Sequence, residues 1–391
     1  MSSSSFVFAF FIIFFGASLL ATAALYTRQS LLVAYLVLGV IVGPWGLKLI
    51  PQTHVIAEIS DIGIMFLLFL LGLNMRFSNL LDMLRGATIV TCVSALVFSA
   101  VLMLVMHLFG FALIDSILVG IALMFSSTIV GLKLLPTTAL HHQHIGEVMV
   151  SILLFQDVIA IIVLLVLGIG GVGGHQLSWW HAVRSIIAFP LLVAFAYVSE
   201  RYVLYRLFRR FDRIQEYLFL ITIGWCLCLA QIAHWSGLSY EIGAFIAGVS
   251  LAASPISQFI SESLKPLRDF FLIIFFFSVG ASFHYQGMVD VIWPVLALLL
   301  LVIILKPVTF FLLLSSVDES PKRAWEAGVR LGQASEFSLL VAVLALQAEL
   351  LSQSAYVVIQ GVTILSFIIS SYWVVMSYPS PMSLTKKLRR D

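Results

Sequence analysis

The stretch Ser151-Ile-Leu-Leu-Phe155-Gln156-Asp157-Val-Ile-Ala-Ile161 decides the fold. It has the composition of a helix centre surrounded by apolar solvent, yet it carries a carboxylate. From Val148 to Val183 there is no other Asp, Glu, Lys or Arg. Asp157 lies ten residues beyond Glu147. At ~1.5 Å per residue that is about 15 Å along a helix axis, near the midplane of a ~30 Å hydrocarbon layer. A carboxylate at that depth costs about 3 kcal/mol even on the lenient insertion scale, so it marks an ion or proton pathway by default. A buried acid that is merely hydrogen-bonded is the plain alternative.

Composition agrees with a membrane setting. Of 391 residues, 61% are hydrophobic and 10% charged, against about 25% charged in soluble domains. The chain is a polytopic membrane protein with little room for a soluble domain. A net charge of +2 implies no nucleic-acid partner. Cys92, Cys226 and Cys228 fall in apolar spans and read as small packing residues. The first 24 residues lack a basic n-region and their apolar run is long, so they read as a spanning helix rather than a cleaved signal. No P-loop, dinucleotide fingerprint or zinc spacing is present, so no cofactor and no enzymatic activity is expected.

Apolar runs of about 20 residues give about thirteen transmembrane helices. Spans five, six, eleven and twelve fall at 112–135, 147–169, 288–314 and 325–347. With the N-terminus outside, nearly all Lys and Arg fall in cytoplasmic loops, and the outer loops hold only Lys48 and Arg184. An odd count with a cytoplasmic C-terminus permits two inverted six-helix repeats, 1–169 and 216–377. A linker helix at 181–204 joins them, and 378–391 forms a basic tail. Such repeats are common in secondary transporters, with the site at their interface.

Two spans carry polar interruptions. The fifth contains Phe125-Ser126-Ser127-Thr128-Ile-Val-Gly131. Hydroxyls compete for backbone hydrogen bonds and Gly weakens a helix. A break there would present carbonyls and a dipole end to an ion; ordinary back-bonding in an intact helix is the competing reading. The twelfth, seven spans later, contains Gly332-Gln333-Ala-Ser335-Glu336. An inverted repeat makes these two spans partners, so both are expected to be broken and to cross. The eleventh carries Lys306-Pro307. A lysine this deep needs a carboxylate, water or a neutral state. Asp157 and Glu336 are the available acids, and snorkelling to the interface is the alternative. Asp61 is a candidate for an outer vestibule or a helix cap. His141, His142 and His144 read as a solvated loop, and Lys386 to Arg390 as a lipid-touching tail.

Taken together, seven features resemble the monovalent cation:proton antiporters of the Kef-type potassium/proton branch. They are Gly39-x3-Gly43-Pro44, the Leu-Phe-Leu-Leu-Gly-Leu run ending at Leu73, Ser126-Ser-Thr128, and Leu154-Phe-Gln-Asp157. Gly237-Leu-Ser-x3-Gly243-Ala-Phe-x-Ala-Gly248, Arg268-Asp-x4-Ile-Phe-Phe-Phe-Ser-Val-Gly280 and Gly332-Gln-x-Ser-Glu-Phe337 complete the set. The resemblance implies a sodium/proton-antiporter-like all-α fold with two crossed broken helices, a dimerisation domain and a moving core. It implies that Asp157 binds a cation and a proton in turn, within a bacterial inner membrane. Electrogenic sodium/proton relatives carry two adjacent acids where this chain has Gln156 and Asp157. The Gln is shared with the Kef-type branch and implies potassium. Asn74 stands where relatives often carry Glu. Many Kef-type proteins also continue into a nucleotide-binding regulatory domain after the last span. That control is then missing, truncated or supplied by a separate cytoplasmic subunit.

The expected function is exchange of potassium for protons by alternating access. Asp157, Gln156, Ser126, Ser127 and Thr128 form the cation and proton site. Lys306, Glu336, Ser335, Gln333 and Gly332 supply supporting charge and the second break. Membrane lipid and a second copy of the chain are the expected partners. Sodium/proton exchange is the rival of the same kind. A gated potassium channel is the rival of another class, although no Thr-Val-Gly-Tyr-Gly-like filter is present. A non-transporting sensor or scaffold is a third possibility.

Overall fold

The computed structural model describes every residue except 1–2, 28, 51–53, 75–76, 129–143, 172–178, 212–213, 253, 255–256, 284, 317–319 and 379–391. His141, His142 and the basic tail therefore lie outside the described residues. Seventeen α-helices are present among the described residues. In chain order they begin α1 Ser3–Thr27, α2 Leu31–Val42, α3 His54–Asn74, α4 Phe77–Leu108, α5 Leu113–Met124 and α6 His144–Gly171. Next, α7 Trp179–Ser199 runs through a π-helical turn, Glu200–Leu204, into α8 Tyr205–Phe211. Then follow α9 Gln215–Trp235, α10 Tyr240–Ala252, α11 Ser257–Ser263 and α12 Lys265–Ala281. The last five are α13 Tyr285–Asp290, α14 Ile292–Ser315, α15 Pro321–Arg330, α16 Glu336–Gln347 and α17 Gln353–Ser377.

Seven of these helices are long and apolar enough to cross a membrane by length and composition. Four more, α2, α5, α10 and α16, are apolar but shorter. The expected thirteen crossings are thus approximate, because several crossings are divided. Span twelve, placed at 325–347 and expected to be broken, is two half-helices, α15 and α16, separated by residues 331–335. The apolar run 31–49 predicts one helix, but α2 stops at Val42. Gly43 precedes Pro44, and the proline ring disfavours helical geometry in the residue before it. Gly43 is accordingly extended, with φ −67° and ψ −179°.

The chain divides into two compact units, each drawing on both halves of the sequence. The first comprises Met1–Pro51, Leu81–Val163 and Val279–Asp391; the second comprises Gln52–Leu80 and Leu164–Ser278. In the second unit α10 is packed between α3 and α9 at backbone contact. A Cβ on Gly248 would lie 2.0 Å from the Phe69 carbonyl oxygen, and one on Gly72 would lie 2.5 Å from that of Phe245. On the other side a Cβ on Gly243 would lie 2.4 Å from the Leu229 carbonyl oxygen. In lipid no hydrophobic force drives helices together, so close van der Waals packing through small residues takes that role. The surrounding core is apolar, with Phe66 stacked on Phe271 at 5.2 Å and Leu229, Ala247 and Leu251 fully buried.

The first unit is different in kind. Its interior holds the polar residues that the sequence placed at mid-span. Asp115 in the first turn of α5 accepts from the Ser352 backbone N–H at 2.9 Å, which ties α5 to the entry of α17.

Candidate ion-binding site

Two interruptions of helical backbone meet in the first unit. The chain leaves α5 at Phe125, which is extended (φ −70°, ψ 147°), and residues 125–127 are non-helical. The continuation beyond Thr128 lies outside the described residues. The second break is described completely. Arg330 closes α15, where its positive charge suits the negative helix end. Ser335, also extended (φ −115°, ψ 158°), opens α16. Its hydroxyl accepts from the Phe337 N–H at 3.2 Å, while its own N–H donates to the Ser338 hydroxyl at 3.2 Å. This reciprocal cap restarts the helix. Glu336, the first helical residue, places a carboxylate at the positive end of the α16 dipole.

A broken helix leaves carbonyls that no later N–H of the same helix can satisfy. Here side chains from the other break, or from α14, meet them. The Ser126 hydroxyl donates to the Leu331 carbonyl at 2.7 Å. Lys306 donates to the carbonyls of Phe125 at 2.6 Å and Gln333 at 3.1 Å. The Gln333 amide donates to the Ser127 carbonyl at 3.4 Å and accepts from the Ser370 hydroxyl at 3.0 Å. Ser366 accepts from the Ala334 N–H at 3.1 Å. The two breaks therefore cross and hold each other.

The carboxylates sit within this crossing. Asp157 is 4% exposed, and Thr128 Oγ1 lies 3.1 Å from Oδ1 and 3.3 Å from Oδ2. Glu336 is 8% exposed, and its Oε2 accepts from the Ser127 hydroxyl at 2.7 Å and from Ser335 at 3.4 Å. Gln156 is buried beside Asp157, and its Oε1 accepts from the Ser126 N–H at 2.9 Å.

Several expectations change at this level of detail. Lys306 was expected to pair with Asp157 or Glu336, or to snorkel. It does neither among the described residues. It is 1% exposed, held by two carbonyls, and lies 5.5 Å from the centre of the Phe98 ring. The breaks create a cradle of carbonyl dipoles, which the Lys306 Nζ fills. Gln156 was expected to offer its amide oxygen to an ion; that oxygen accepts from the Ser126 N–H and so also holds the first break in place. Of the three hydroxyls at 126–128, only Thr128 is bonded to Asp157. Gly332 allows close approach, since a Cβ there would lie 2.9 Å from Pro307 Cγ. Residues that sequence reasoning passed over are Phe98, Ser366 and Ser370. A readable signal existed for the serines: Gln360, Thr363, Ser366 and Ser370 recur at three- to four-residue spacing on an otherwise apolar span.

The arrangement offers hard oxygen ligands and two acids, suited to a cation that exchanges with a proton. Among the described residues no three His, Cys, Asp or Glu side chains converge as a metal cluster would require.

Comparison with known proteins supports a transporter. The chain is 27% identical over 348 residues to "Iron transporter MagA" of Paramagnetospirillum magneticum, an alignment covering 89% of this chain and 80% of that protein. The fold is similar to the sodium proton antiporter MjNhaP1 from Methanocaldococcus jannaschii in a structure at pH 8. That superposition has a TM-score of 0.68 at 17% identity over 95% of this chain and 96% of the other. A second structure of the same antiporter, an electron-microscopy map, gives a TM-score of 0.66 at 16% identity with the same coverage. Residues 5–376 match the family model described as "Sodium/hydrogen exchanger, transmembrane". The chain is therefore an integral, multi-pass membrane protein that belongs to the sodium/hydrogen exchanger family, a family of cation/proton antiporters rather than enzymes.

Proposed function

We propose that the protein exchanges potassium for protons by alternating access, with Asp157 holding the cation and the proton in turn. The observation that carries this is a buried carboxylate, hydrogen-bonded to Thr128, at the crossing of two helix breaks. A cation and a proton compete for the same oxygens there. With Lys306 cationic and both carboxylates ionised, these three groups carry one net negative charge. One monovalent cation or one proton neutralises it, so exchange is one for one and moves no net charge. Gln156 supports potassium: it occupies the position of a second acid without adding charge. The native setting we propose is a bacterial inner membrane with the N-terminus outside. The proposed assembly is a homodimer.

Sodium is the second reading, favoured by the family description and by the sodium proton antiporter fold. The experiment is a proteoliposome assay with an internal pH dye. Potassium, sodium and ferrous iron are offered singly to the native chain and to Asp157→Asn. Potassium should drive proton flux in the native chain and none in the variant, with the variant still folded. Flux with sodium alone selects the second reading, and flux with iron alone overturns both. Uncoupled potassium leakage with no proton movement would select a channel. A transport current on a solid-supported membrane would reject the electroneutral stoichiometry.

A further inference from the structure

The span that begins in α7 is the least buried of the seven long apolar spans among the described residues. Over residues 184–195 it leaves a groove of about 550 Å³ against the end of α9, wholly within the second unit. Ile187, Leu191 and Phe195 recur at four-residue spacing along one wall, and Trp235 stands on the other. These four side chains are between 45% and 68% exposed, so the protein itself does not cover them. Pro190 lies in the middle of the stretch and removes one backbone hydrogen bond of α7, which favours a bend there. At the far end Phe195 stacks on Trp225 of α9 at 6.3 Å. At the near end Arg184 Nη2 donates to the carbonyl of Trp235, the last residue of α9. Ser236 on the same wall donates its hydroxyl to the Ile232 carbonyl at 2.7 Å. Among the described residues no Asp or Glu lines the groove.

The groove therefore has an apolar body and one cationic end. Its length says what fits. Eleven residues separate Arg184 from Phe195, about 16 Å of helix at ~1.5 Å per residue. One leaflet of a ~30 Å hydrocarbon layer is about 15 Å deep. The groove thus spans the distance from headgroup level to the bilayer midplane, which is the depth of one acyl chain. Trp235 beside Arg184 agrees, since tryptophan concentrates at the membrane–water interface. The guanidinium presents several donors in a planar fork that matches phosphate oxygens, and its bond to Trp235 holds it in place. No carboxylate on the groove wall offsets its charge. A headgroup of net negative charge is then favoured over a zwitterionic one, whose own ammonium offsets the phosphate. We infer that this groove binds one acyl chain of an anionic phospholipid, with the lipid phosphate on Arg184. The chain restores the van der Waals contact that α7 and α9 do not make with each other. The site is remote in sequence from the ion-binding residues and does not depend on which cation is exchanged.

The test uses the full-length protein in bilayer discs of phosphatidylcholine, with and without phosphatidylglycerol. With phosphatidylglycerol, a density map should show one ordered acyl chain between α7 and α9 and its headgroup against Arg184. A groove without an ordered chain, or one filled by a helix of a second copy, overturns the inference. Native mass spectrometry then counts the phosphatidylglycerol retained. Arg184→Gln should weaken retention at one site about fivefold, the effect of one basic residue on an anionic lipid, and Arg184→Lys should keep most of it. Leu191→Trp, which fills the groove from an exposed position, should remove the bound chain altogether. Arg209→Gln, at an exposed position on α8 outside the groove, should leave the chain in place. Unchanged retention in Arg184→Gln, equal retention of phosphatidylcholine, or loss of the chain in Arg209→Gln overturns the assignment. If Leu191→Trp does not fold, the native map and the exposed Arg184→Gln change decide the question.

Discussion

The α3–α10–α9 layer of the second unit and the crossing of the first unit are both built with glycines and small residues, for opposite purposes. In the layer, Gly72, Gly243 and Gly248 keep helices intact and bring them to backbone contact. The helices run unbroken through the contact, and stability comes from packing. At the crossing, helices end. Their freed carbonyls at Phe125, Leu331 and Gln333 are satisfied by Ser126 and Lys306 from elsewhere. One region is held by shape and the other by hydrogen bonds. Only the second can offer oxygens to an ion.

This contrast sets the size of mutational effects. The largest is expected at Gly248→Val. Its Cβ would stand 2.0 Å from the Phe69 carbonyl oxygen, and backbone cannot move aside as a side chain can. A loss of about 3 kcal/mol or more should appear as a lowered thermal transition in detergent. A near-native transition would show the layer to be looser than drawn. Next is Lys306→Met, which keeps the volume but abandons the carbonyls of Phe125 and Gln333. Each orphaned carbonyl costs on the order of 1 kcal/mol or more, so a destabilisation of about 2 kcal/mol is expected. A variant as stable as the native chain would break the idea that the crossing is held by hydrogen bonds. Ser127→Ala removes the 2.7 Å hydroxyl contact to Glu336. Loss of a charged hydrogen bond costs about 1.5 kcal/mol, and the exchange rate should fall with it. The smallest effect carries the opposite sign. A Cβ on Gly224 in α9 would meet nothing within 4 Å. Gly224→Ala should therefore stabilise by up to about 1 kcal/mol through helix propensity alone, which would separate crowded glycines from idle ones in the same unit.

Much of the site was legible before any coordinates. Asp157 was visible because charge is expensive in hydrocarbon, so a lone acid in an apolar run is a statement in itself. The two breaks were visible as Ser126-Ser127-Thr128 and Gly332 to Glu336, polar clusters in spans that otherwise had no use for them. The restart of α16 at Ser335 was less legible. Its partner is Ser338, not the Glu or Gln that the usual capping pattern carries. The α17 face was legible in spacing but was passed over, because single serines in apolar helices are commonly back-bonded and mean little alone.

What the sequence by itself determined is a membrane-embedded helical chain with one acid stranded at mid-depth and two weakened helices near it. Those follow from local composition, since the cost of a polar group in lipid does not depend on which neighbour it meets. Which neighbour it meets was decided only by tertiary structure. Among the described residues Lys306 bonds carbonyls rather than carboxylates, Gln156 accepts from the Ser126 N–H, and Thr128 reaches Asp157. Hydrogen-bond partners 29 to 209 residues apart are selected by how helix ends cross in space. No spacing along the chain encodes that geometry.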